Sequence, residues 1–122
     1  MAYPSIHKFD VAHRSSYCSS IGGTPVATYI YVPFRCQIAR VDVVTHGAIT
    51  SADCSVAVAL NGTAISGSPF TIPVSGAAAG QTATLTPTSP VYANDGDYIT
   101  FTPSGASGSS IAATFSAALK SR

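Results

Sequence analysis

Glutamate does not occur in the 122 residues, and leucine (three), glutamine (two) and methionine (one) are scarce. Apart from alanine, these residues are among the strongest helix formers, so the chain has little with which to build helices. Charge is thin as well: 9% of residues are charged and the net charge is +1. The chain has no basic stripe for nucleic acid or an anionic membrane, and neither is expected as a partner. No apolar run approaches the roughly 18 residues of a spanning helix. The opening MAYPSIHKFD has no basic stretch leading into an apolar one, so no secretory signal is expected. Such sparse charge also leaves little to keep copies apart, which fits a surface partly covered in an assembly.

Catalytic grammar is missing too. Gly67-Ser68-Pro69 is not a G-x-S-x-G elbow, no pair of carboxylates is set up for acid and base roles, and no glycine-rich phosphate loop opens a helix. The chain is therefore not expected to be an enzyme or to hold a cofactor. His7, Asp10 and His13 would share one side of a helix, but the residues around them favour strand or loop. On a strand Asp10 points away from both histidines, and the three read as polar residues of a terminal segment. Asn94, Asp95 and Asp97 around Gly96 resemble a fragment of a calcium loop, yet the bidentate glutamate such a loop needs is absent and a turn explains them. No metal is expected. Cys18, Cys36 and Cys54 are odd in number, form no C-x-x-C, and are expected as buried, reduced thiols. Tryptophan is also absent, which removes the aromatic most used for stacking on sugars. Six tyrosines remain: Tyr3, Tyr17, Tyr29, Tyr31, Tyr92 and Tyr98.

What is present is β-forming. Thirteen threonines, ten valines and nine isoleucines dominate, with eight prolines and ten glycines spread along the chain as turns. The clearest local signal runs from Ser55 to Ile65. Val56, Val58 and Leu60 alternate with Ser55, Ala57 and Ala59; Asn61-Gly62 follows, and Thr63-Ala64-Ile65 resumes the extended pattern. Two extended runs joined by Asn-Gly predict a hairpin with a type I′ turn, because both central residues need positive φ.

Further strands are expected at 27–32, 37–46, 70–74, 82–86, 97–102 and 111–119. Tyr29 and Tyr31 share a face opposite Ile30 and Val32, and Pro33 ends that strand or confines it to an edge. In 37–46, Ala39, Val41, Val43 and Thr45 share one face while Arg40 and Asp42 lie side by side on the other. Ile99 and Phe101 point inward, as do Ile111, Ala113, Phe115, Ala117 and Leu119. Ser75–Gly80 is a loop. Residues 1–24 differ: a strand is expected at 5–11, followed by a loop-like Ser15–Gly23, so that 1–24 forms an arm or edge strand seeking a partner on another subunit. The expected organisation is that segment followed by a sandwich over 25–122. About eight short strands with turns between them predict an all-β, antiparallel β-sandwich with a jelly-roll-like winding.

Several stretches carry a resemblance to a known family. These are Val32-Pro33-Phe34, the bridge Gly47–Asp53, the hairpin Val56–Ile65, the loop Ser75–Gly80, Ala93-Asn94-Asp95-Gly96-Asp97-Tyr98-Ile99, and the Ser/Gly/Ala/Thr-rich final strand. Together they resemble the small β-sandwich proteins of tailed bacteriophages, the capsid decoration (cement) or head-fibre proteins. The resemblance covers about three-quarters of the chain and does not reach residues 1–24. It implies a structural virion protein, made in the host cytoplasm, on the capsid exterior. Its partners would be the major capsid protein and copies of itself, a trimer before a dimer. Tyr17, Tyr29, Tyr31 and Phe34 are the expected partner-binding residues. The alternative is a receptor- or glycan-binding fibre module.

Overall fold

The computed structural model describes residues 11–106 and 110–122, and they form ten strands. In chain order these are β1 (Val11–Cys18), β2 (Thr28–Tyr31), β3 (Cys36–Thr45), β4 (Cys54–Leu60), β5 (Thr63–Ala64), β6 (Phe70–Ile72), β7 (Thr82–Leu85), β8 (Tyr92–Ala93), β9 (Tyr98–Ser104) and β10 (Ala113–Ser121). No helix occurs among the described residues. Sheet I has the order β1-β10-β3-β7 with β8 also paired to β3; sheet II has the order β2-β9-β4-β5 with β6 also paired to β4. Every pairing is antiparallel. The first four strands alternate between the sheets, as do the last two, giving the winding of a jelly roll. The all-β, antiparallel sandwich is as expected. The two-residue β5 is the second arm of the expected Asn61-Gly62 hairpin, whereas the two-residue β8 is too short to have a periodic signature.

The core lies between the sheets. Phe101 of β9 and Phe115 of β10, both fully buried, stack with ring centroids 4.7 Å apart and planes 16° from parallel, joining sheet II to sheet I. Around them Ile30, Val56, Val58, Ile72 and Ile99 from sheet II meet Ile38, Val41, Val43 and Leu119 from sheet I. Burying one such aliphatic side chain contributes about 1.5–3 kcal/mol, so this layer is the main stabilising feature.

Three local features decide how side chains are presented. First, Asn61 (φ 51°) and Gly62 (φ 87°) occupy the left-handed region, as the type I′ turn between β4 and β5 requires. Second, β3 carries a bulge: Leu119 faces Ile38 and Ala118 faces Arg40, leaving Ala39 without an opposite residue. The expectation that Ala39 shares the core face with Val41 therefore fails. Ile38 and Cys36 are the buried residues there, because one inserted residue flips the alternation before it.

Third, the loop expected at Ser15–Gly23 is a strand as far as Cys18, and β1 pairs with β10 of the same chain along all eight residues. Cys18 and Ile21 are buried in the core, and Ile21 N–H donates to the Ile111 carbonyl at 2.8 Å. Residues 11–21 thus belong to the sandwich. Their hydroxyl-rich sequence hides this, because β1 is an edge strand with most of its side chains in water. The strand expected at 5–11 lies outside the described residues except for Val11.

Candidate functional site

The two outer faces of the sandwich differ in chemistry. Sheet I holds every charged residue found on a strand: Arg14, Arg40, Asp42 and Lys120. Two of these satisfy each other. Arg40 Nε lies 3.0 Å from Asp42 Oδ2, and Thr84 Oγ1 donates to Asp42 Oδ1 at 2.7 Å, so the side-by-side placement read from the alternation becomes an ion pair. Farther along the face, Tyr17, Thr114, Val44 and Thr82 form one cross-strand row. His46 Nε2 is 2.9 Å from Thr114 Oγ1, and its ring sits 5.6 Å from that of Tyr17. His13 is exposed on β1, while His7 and Asp10 lie outside the described residues.

Sheet II has no charged residue on any strand. Its outer face is built from Thr100, Thr102, Ser104, Ser55, Ala57 and Ala59, and from three tyrosines gathered where β2 meets β9. Tyr31 faces Tyr98 across the ladder and Tyr29 faces Thr100. The Tyr29 and Tyr98 ring centroids are 6.2 Å apart at 58°, so the two rings lean on each other as a tilted pair. Exposure is 60% for Tyr29, 61% for Tyr31 and 42% for Tyr98, high for side chains of this size. The Tyr31 hydroxyl donates to Asp95 Oδ1 at 3.4 Å.

A backbone network fixes this corner. Asn61 N–H donates to the Tyr98 carbonyl at 3.0 Å and Tyr98 N–H donates to Asn61 Oδ1 at 3.0 Å, so the hairpin turn grips Tyr98 from both sides. Asn94 N–H donates to Asp97 Oδ2 at 2.8 Å, and the Asn61 side chain also bonds to Asp97. The Asn94 amide first, and Asn61 second, hold the Asp97 carboxyl below the usual aspartate range. Val32 closes the corner, donating to the Asp97 carbonyl at 2.9 Å and accepting from Gly96 N–H at 2.9 Å. The turn read as Asn-Asp-Gly is therefore spoken for by protein donors. Among the described residues no group of three or more His, Cys, Asp or Glu could hold a metal ion.

Of the four tyrosine and phenylalanine positions expected to bind a partner, the structure brings only Tyr29 and Tyr31 together. Tyr17 lies on the outer face of the other sheet, and Phe34 is half-buried against the core. Tyr98 belongs with the pair and was not singled out. The inward Ile99 and Phe101 imply that it points outward, but the pairing of β9 with β2, 67 positions earlier at Tyr31↔Tyr98, has no local signature. The three cysteines are buried and unpaired, and burial pushes the Cys36 and Cys54 thiols up.

The chain is thus a two-sheet jelly-roll sandwich with a prebuilt tyrosine corner on one face. No family model matches it, and no curated protein matches it. Among solved structures, it is similar to a chain from the acidic stable capsid structure of Helicobacter pylori bacteriophage KHP30. The superposition covers 90% of this chain and 86% of that one, with a TM-score of 0.58 and 10% sequence identity. Likeness at that identity is a likeness of fold.

Proposed function

We propose that this protein is a structural component of a virion: a decoration (cement) protein that binds the outside of a phage head and stabilises it, without catalysis. The observation that carries the reading is the fold shared with a capsid chain over nearly the whole length of both molecules. Three free thiols fit synthesis in a reducing host cytoplasm. The partners are the major capsid protein and further copies of this chain, with a trimer favoured. Stabilisation follows from mass action: a protein that binds the assembled shell and not its separate subunits shifts the equilibrium towards the shell, and linked copies multiply the effect. Attachment is assigned to the side of sheet I where β1 begins, because residues 1–10 lead directly into that edge strand.

Purified capsids mixed with the protein and sedimented test this reading. The full chain is expected to co-sediment at a fixed ratio and to raise the temperature at which the shells break. Removing residues 1–10 should abolish binding while the remaining chain still unfolds in one cooperative transition. Removing 1–24 is not an equivalent test, since it takes away β1 and the buried Ile21. A full chain that stays in the supernatant contradicts the proposal.

A further inference from the structure

We propose that the tyrosine corner of sheet II is a binding site for a neutral glycan, formed by Tyr29, Tyr31 and Tyr98 with Asp95 at its rim. Tyrosine rings offer an apolar face to the C–H side of a sugar ring and a hydroxyl at the tip. Here Tyr29 and Tyr98 form a tilted contacting pair, 6.2 Å between centroids at 58°, and Tyr31 beside them extends the exposed aromatic surface. Sugar hydroxyls need acceptors and donors at the edge of such a surface. Asp95 Oδ1, the Tyr31 hydroxyl and the Thr100 hydroxyl supply them, Thr100 lying directly opposite Tyr29.

Charge and composition select the ligand class. An anionic ligand finds no cation on any strand of sheet II and meets the Asp95 carboxylate instead. A protein partner would meet few large aliphatic side chains: the neighbours on this face are Ser55, Ser104, Ala57 and Ala59. Tyrosine is enriched at protein interfaces, but the serine and alanine that make up the rest of this face are depleted from them. A neutral, hydroxyl-rich ligand with apolar ring faces matches what remains. The corner is also preformed, because Asn61 holds Tyr98 through two backbone-directed hydrogen bonds. The backbone beneath Tyr98 therefore needs no ordering on binding. The site lies on the sheet that does not contain β1, so it stays open when the β1 side is occupied. It does not depend on the virion reading.

An array of neutral hexose and N-acetylhexosamine oligosaccharides, with their sialylated counterparts, probes the full-length protein, and the best neutral binder is then titrated by NMR. Neutral members should bind in preference to sialylated ones and shift the amides of β2 and β9. Tyr29→Ala and Tyr98→Ala should each weaken binding by about three- to tenfold, the range of one aromatic contact. Tyr29→Phe should retain most of the affinity, and Tyr17→Ala all of it, each variant first checked for a native spectrum. Binding to no neutral glycan, preference for sialylated ones, or shifts confined to sheet I overturns the proposal. So does loss of capsid co-sedimentation in Tyr29→Ala, which would make the corner a protein-docking surface.

Discussion

Sheet I and sheet II are built from the same alternating β grammar and share one core, yet their outer faces have opposite chemistry. On sheet I the charges are partly consumed by neighbours, as in the Arg40–Asp42–Thr84 chain, and Tyr17 leans on His46. On sheet II charge is absent from the strands, and three exposed tyrosines sit beside a turn whose own polar groups are satisfied. The contrast teaches that exposure alone does not mark a site. Tyr17 is as exposed as Tyr29 and Tyr31. What separates them is company: two more tyrosines, a rim carboxylate and a fixed backbone beneath.

The comparison can be broken most forcefully at the layer both faces rest on. Phe115→Ala removes one half of the Phe101–Phe115 stack and should destabilise the fold by about 3–5 kcal/mol, read as a lower urea midpoint with both faces affected. Asn61→Ala acts on one face only. It removes the acceptor for Tyr98 N–H and places alanine at positive φ, costing about 1–3 kcal/mol. NMR shifts should change at Tyr98 and Asp97 and remain fixed at Tyr17.

Asp97 gives the same face an acid sensitivity. Its carboxyl titrates lower in the folded than in the unfolded chain, so the unfolded chain takes up the proton first as pH falls. The stability it contributes is present above the ordinary aspartate range near pH 4 and is lost as pH falls through the lowered folded value. Denaturation midpoints followed downwards from pH 5 should therefore decline less steeply in Asp97→Asn than in the parent chain. The smallest effect belongs to the charged face. Arg40→Ala should cost between 0 and about 1 kcal/mol, since the ion pair is solvated, and raised salt should shrink the difference further.

Much of the scaffold is legible in the residues because its signals are local. Val56 and Val58 against Ala57, Ile99 against Thr100, and Phe115 against Thr114 each alternate in or out of a single strand. Asn61-Gly62 needs only two residues to specify its turn. The bulge at Ala39 has no such signal, since its cause is the register against β10, and it inverts the face of Ile38. The strand character of β1 is concealed by its mostly polar and exposed residues, His13, Arg14 and Ser15 among them. The candidate site was half legible for the same reason. Tyr29 and Tyr31 share a face by period-two alternation, but Tyr98 joins them through a pairing of distant strands, and Tyr17 leaves them because β1 belongs to the other sheet.

A cryo-electron microscopy reconstruction of particles carrying this protein tests the central claim most directly. The account predicts that the start of β1 and the outer face of sheet I contact the shell, while Tyr29, Tyr31 and Tyr98 face solvent. A reconstruction with the tyrosine corner buried against the shell, or with no density for the protein on the particle exterior, would contradict it.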